Sequence, residues 1–97
     1  MLFRRSIPPA RYELVTREGC HLCDEMATVL DEVLPSFGLS YTLLDVDTDV
    51  EPELRARLTD VVPVLLHDGR PVAKVRVDRR TLTRIVRGRR EATSSSS

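Results

Sequence analysis

Cys20-His21-Leu22-Cys23 contains the only two thiols in a chain of 97 residues. Thiols separated by two residues can exchange disulfides, hold a metal ion or carry a haem. Haem attachment needs a histidine directly after the second cysteine, and that position is Asp24. A structural zinc ion usually takes four ligands. Only His21 and His67 could join the cysteines, and His21 sits between them in poor geometry. Two incidental small residues in a helix are the bland alternative. Dithiol exchange is the chemistry the spacing favours.

That chemistry depends on where the pair sits. Tyr12 to Thr16 alternates as a short strand, with Tyr12 and Leu14 on one side and Val15 on the other, and Glu18-Gly19 breaks it. From His21 to Leu34 the apolar residues Leu22, Met26, Val29, Leu30, Val33 and Leu34 recur at helical spacing. Pro35 and Gly38 stop this helix. Cys20 therefore lies at the helix N-terminus, exposed, with Cys23 one turn in and facing the core. Free amides at a helix N-terminus stabilise an anion, and the thiolate is the attacking species. The expectation is a lowered pKa for Cys20, helped by Arg17 and opposed by Glu18, and a nearly normal or raised one for Cys23.

The remaining pattern completes an α/β unit. Leu39 to Val46 reads as a strand buried on both faces, and Asp47-Thr48-Asp49 as an acidic turn whose Thr48 or Asp49 caps a short helix over Val50 to Leu58. Pro52 is tolerated in that helix's first turn. Val62 to His67 and Pro71 to Val77 read as strands joined by Asp68-Gly69, a strong hairpin signal. Asp78 caps a last helix carrying Leu82, Ile85 and Val86, and Gly88 ends it. The expected architecture is an α/β sandwich: a four-stranded mixed sheet with three helices in the order βαβαββα, two helices on one face and one on the other. Residues 1–11 read as an irregular lead-in around Pro8-Pro9, 12–90 as the domain and 91–97 as a disordered polar tail.

Composition bounds the function. Hydrophobic residues at 41% and charged residues at 31% fit one globular domain. No apolar run approaches the ~20 residues that cross a bilayer, and no apolar stretch follows Arg4-Arg5 as in a secretory signal. A soluble cytoplasmic protein is expected. The net charge of zero conceals a net of −9 over residues 18–60 and +6 over 61–97. The basic end could attract nucleic acid, but the acidic middle and an aromatic content of 4% argue against it.

Val62-Pro63 opens an apolar strand with a residue that cannot donate to the ladder. Were its peptide cis, the Val62 backbone would face the sulfurs and could pair with substrate backbone. An ordinary trans proline at an edge is the alternative reading.

With these elements in order, the chain resembles the thioredoxin superfamily, and within it the small glutaredoxin-like proteins. The matching residues are Tyr12-Glu13-Leu14-Val15-Thr16 leading into Cys20-His21-Leu22-Cys23, then Leu44-Asp45-Val46-Asp47-Thr48-Asp49 and Val62-Pro63-Val64-Leu65. The resemblance implies a nucleophile at Cys20, a resolving thiol at Cys23 and a cis proline at Pro63. It implies a basic residue at Arg17, substrate pairing at Val62, and a glutathione γ-glutamyl contact at Asp78. His21 would stabilise the thiolate or cap the helix. The chain departs from the pattern in lacking a Gly-Gly pair before the last helix, where it has Ala73-Lys74-Val75-Arg76-Val77-Asp78, and in having no tryptophan.

The resulting expectation is a thiol-disulfide oxidoreductase. It acts on a protein disulfide or a glutathione mixed disulfide, with no metal and no tightly bound cofactor. Glutathione serves as co-substrate, or a dedicated reductase as electron donor, and a cytosolic redox poise favours use as a reductase. The alternatives are a non-catalytic thioredoxin-fold binding module and a dimeric carrier of a metal or iron–sulfur cluster.

Overall fold

The computed structural model describes residues 11–95. The expected lead-in, apart from Arg11, and the last two residues of the expected tail lie outside this range. The chain runs β1 (Tyr12–Thr16), α1 (His21–Val33), a 3-10 turn (Leu34–Phe37), β2 (Tyr41–Asp45), α2 (Pro52–Leu58), β3 (Val64–His67), β4 (Arg70–Lys74) and α3 (Arg79–Ser95). The strands form one mixed sheet in the order β2-β1-β3-β4. β1 pairs parallel with β2 and antiparallel with β3, and β3 pairs antiparallel with β4.

The alternation along β1 divides the core as its sequence requires. Tyr12 and Leu14 point to a layer built with Met26, Leu30 and Val33 of α1 and with Leu82 and Val86 of α3. Val15 points the other way, to Val46, Val50 and Leu58 around α2. Two helices thus cover one face and one covers the other. β3 runs through the middle, and all four of its residues are buried.

The hairpin turns through Asp68 and Gly69 with φ of +51° and +85°, the positive values that a tight two-residue turn demands. Asp68 also fastens the start of β1. Its Oδ1 accepts the Arg11 amide at 3.1 Å, and its own amide donates to the Arg11 carbonyl at 2.9 Å.

Several elements differ from the sequence reading. β3 begins at Val64 rather than Val62, after the Val62-Pro63 pair, and β4 ends at Lys74 rather than Val77, where Val75 leaves the strand with φ of +68°. β2 is an edge strand rather than one buried on both faces, and Leu43 is 58% exposed. Apolar content cannot tell a central strand from an edge, because the difference lies in where the neighbouring strands go. α2 begins at Pro52, with Glu51 as an N-cap that makes no side-chain bond. Asp49 is taken up elsewhere, accepting the Asp45 amide at 2.9 Å. Finally, α3 passes Gly88 and continues to Ser95, so residues 91–95 are helical. One interior glycine costs a helix only about 1 kcal/mol. Beyond it, Arg89 Nε donates to His67 Nδ1 at 3.0 Å, and the Arg90 guanidinium lies 5.5 Å from the Phe37 ring centre.

Candidate dithiol site

The first connection ends in a turn at Gly19, whose φ is +75°. The Cys20 amide closes it by donating to the Arg17 carbonyl at 3.2 Å. Cys20 is the N-cap of α1, with extended backbone at φ −96° and ψ 109°. Its Sγ accepts the Cys23 amide at 3.2 Å, taking the place a serine or aspartate oxygen commonly fills at such an end. Cys23 is 3% exposed, whereas Cys20 is only half-buried. The two form a disulfide across the first helical turn, with Cα atoms 5.2 Å apart.

Arg17 approaches this turn from the α2 side. Its guanidinium donates to both carboxylate oxygens of Asp47 at 3.3 Å, to the Thr59 carbonyl at 3.1 Å and to the Thr59 hydroxyl. It thereby ties the loop before Cys20 to the segments at both ends of α2. His21 is 85% exposed at the side chain and pairs with Glu25 one turn later, Nε2 to Oε2, at 2.9 Å.

The Val62–Pro63 peptide bond is cis. Pro63 is buried, and Val62 packs against the core layer around α2. The Pro63 carbonyl accepts the Val75 amide at 2.7 Å, which joins the segment before β3 to the loop after β4. Val75 itself has φ of +68°, and the next amide, of Arg76, donates to the Lys74 carbonyl at 2.7 Å. A three-residue turn of this hand is strained for any side chain, and more so for a β-branched one.

This loop forms one wall of a groove of about 410 Å³. Leu22, Met26 and Val29 of α1 supply the opposite wall, and Glu25, Arg76, Asp78 and Thr81 stand at its rim. Asp78 Oδ1 accepts the Thr81 amide at 2.7 Å and caps α3, and this bond holds its carboxyl below the ordinary range. The groove therefore connects the Cys20–Cys23 motif, through Leu22, to Asp78. Neither cysteine lines it, and nor do Arg17, His21, Val62 and Pro63.

Several site residues were not visible from the sequence. Asp47 and Thr59 meet Arg17 only in the tertiary structure. Val75 has no local signal, because a β-branched residue is the last expected at positive φ. Glu25 could have been found, since it stands four residues after His21 on one helical face. Among the described residues, no three histidine, cysteine, aspartate or glutamate side chains group to hold a metal ion. No described helix is long and apolar enough to cross a membrane.

A β-α-β unit, a hairpin and a closing helix around a Cys-X-X-Cys turn define a glutaredoxin-like protein of the thioredoxin superfamily. The chain belongs to the Glutaredoxin-like domain (DUF836) family, which matches residues 11–87. It is 38% identical over 73 residues to the uncharacterized protein Rv0508 of Mycobacterium tuberculosis (strain H37Rv), covering 72% of this chain and 75% of that one. The uncharacterized protein Mb0520 of Mycobacterium bovis matches to the same extent. Among solved structures, the X. campestris protein XcR50 superposes with a TM-score of 0.64 at 24% identity, over 79% of this chain and 96% of its own. Protein Ne2328 from Nitrosomonas europaea gives 0.65 at 23%, over 82% and 94%. These two likenesses show the fold.

Proposed function

We propose that the protein is a thiol-disulfide oxidoreductase that works through Cys20 and Cys23. The observation that carries this reading is the asymmetry of the pair: Cys20, partly exposed, accepts a helix amide at its sulfur, and its bonded partner Cys23 is buried. In the reduced protein the Cys20 thiolate attacks one sulfur of a substrate disulfide. That S–S bond breaks, a mixed disulfide forms on Cys20, and the departing thiolate takes up a proton. Cys23 then loses its proton and attacks Cys20 Sγ. The second substrate thiol is released, and the Cys20–Cys23 disulfide remains. Two electrons have passed from the protein dithiol to the substrate. Glutathione, or a reductase, returns them.

The other expected residues have distinct parts in this reading. Arg17 brings positive charge to the entrance of α1, and His21, paired with Glu25, stands next to the nucleophile. The Val62 backbone offers a pairing edge to the substrate strand. Asp78, at the far end of the groove, offers a carboxylate to the ammonium of a glutathionyl group. The setting is a reducing compartment such as the cytoplasm.

A redox titration in glutathione buffers tests the reading, with thiols trapped by alkylation and counted by mass. The expected result is a reversible loss of two protons with one midpoint, together with a mixed disulfide that accumulates in Cys23→Ser. Thiols that stay reduced throughout the range would exclude exchange.

A further inference from the structure

α3 carries a basic surface for which the exchange reaction itself has no use. Arg80, Arg84 and Arg87 stand at i, i+4 and i+7, so they form one stripe along the helix. All three are exposed. With Arg79, Thr83 and Gly88 they border a shallow depression on the outer side of α3. Arg79 is engaged with Glu32, Nη1 to Oε1, at 3.4 Å. Among the described residues, no carboxylate pairs with Arg80, Arg84 or Arg87. The acids that bring the net charge to zero lie mostly before residue 61, and those of α2 and the turn preceding it are on the opposite face of the sheet.

The stripe also adjoins the groove that Leu22 lines beside the Cys20–Cys23 turn. Arg80 and Arg84 are near enough to Asp78 to favour its charged form, and Asp78 stands at the groove rim with Arg76 and Thr81. A ligand that leaves the groove past Asp78 therefore meets a row of exposed guanidinium groups. Guanidinium binds carboxylates and phosphates equally well by geometry. What separates the two sources is the groove's place beside the motif: Leu22, between the two cysteines, lines it, so a disulfide substrate held at Cys20 by the proposed exchange reaches the stripe across this groove. Proteins carry disulfides, and nucleic acids do not.

We infer that the α3 face bearing Arg80, Arg84 and Arg87 is a docking surface for a protein disulfide substrate with an acidic segment beside its reactive cysteine. This inference rests on the exchange function proposed above and specifies its substrate class. The arginines act by steering and by holding the acidic segment, and they take no part in the bond exchange.

The test compares wild type with the triple variant Arg80→Gln, Arg84→Gln, Arg87→Gln, which keeps good helix formers at all three positions. Exchange rates are measured for the reduced proteins against a disulfide peptide flanked by glutamates, the same peptide flanked by lysines, and uncharged hydroxyethyl disulfide. Wild type is expected to prefer the glutamate peptide about 10-fold at low ionic strength, and to lose the preference near about 0.5 M salt. The triple variant should lose it at any salt and react with hydroxyethyl disulfide at the wild-type rate. Equal wild-type rates for the two peptides overturn the inference, as does a triple variant slowed equally on the uncharged disulfide.

If no disulfide reacts at all, the exchange function fails by itself. Docking is then decided by fluorescence anisotropy with the alkylated glutamate peptide. Salt-sensitive binding that the triple variant loses supports the surface, and absence of binding removes it. Tighter binding of a single-stranded RNA oligonucleotide, or self-association abolished in the triple variant, would assign the stripe to another occupant and overturn the inference.

Discussion

The amide of Cys23 donates to the sulfur of Cys20 at 3.2 Å, so the residue that starts α1 is also the one whose sulfur receives the helix's free positive end. Cys23, three residues on, turns the other way into the core beside Met26 and Leu30. One turn of helix thus gives two chemically identical side chains different surroundings, one polar and reachable, the other apolar and enclosed.

The first prediction concerns the order of reaction. In the reduced protein, Cys20 should be alkylated well before Cys23, and its rate should level off at lower pH than that of an ordinary thiol, which titrates near ~8.5. Iodoacetamide labelling followed by peptide mass mapping over a pH series measures both. Equal rates at the two cysteines would show that the helix end and the burial do not distinguish them.

Positive φ at Val75 and Gly69 leads to opposite expectations for two substitutions. An L side chain in the left-handed region costs about 1–2 kcal/mol. Gly69→Ala, at φ +85°, should lose about that much, since its new Cβ meets nothing within 4 Å and only the backbone objects. Val75→Gly removes this strain, which offsets the packing and chain entropy it loses, and should fall within about 1 kcal/mol of wild type. Urea unfolding of both variants reads the difference. A Val75→Gly protein much less stable than Gly69→Ala would contradict the strain at Val75.

His67 predicts a pH dependence. It is 3% exposed, its Nδ1 is occupied by Arg89, and its ring centre lies 4.7 Å from that of Tyr12. Burial lowers its pKa and outweighs the upward pull of Asp68. The unfolded chain then binds a proton near the ordinary value of 6.5, while the folded chain binds it only at lower pH. Stability from this residue is complete above ~6.5 and is lost as pH falls from there to the folded pKa. Chemical denaturation between pH 8 and about 5 should show that decline, and His67→Leu should flatten it.

Asp78 works in a separate, more acidic window. Its folded pKa lies below the ordinary 3.8, so the stability it confers is present above that value and is lost as pH falls below it. Asp78→Ala should destabilise α3 by removing the cap on the Thr81 amide, while Asp78→Asn keeps a capping oxygen. If the proposed glutathionyl contact is real, both variants should raise KM for a glutathione mixed disulfide. If Asp78 only caps, Asn should leave KM unchanged.

Tyr12, Leu14 and Val15, the apolar rhythm from Leu22 to Leu34, and the Asp68-Gly69 turn were legible in the sequence because each is a local pattern. Period and turn chemistry act between residues only a few positions apart. The unequal placement of Cys20 and Cys23 was legible for the same reason, following from one helical turn at the end of a strand. What only the tertiary structure decided is set by partners far away in the chain. Leu43 is exposed on β2, which among the described residues is the edge of the sheet. Arg17 is engaged because Asp47 and Thr59, 30 and 42 residues on, arrive beside it. α3 outlasts Gly88 because His67 and Phe37 hold Arg89 and Arg90. Val75 keeps a conformation its side chain disfavours because Pro63 takes its amide. Local chemistry selects the elements, and long-range contacts determine what each element faces.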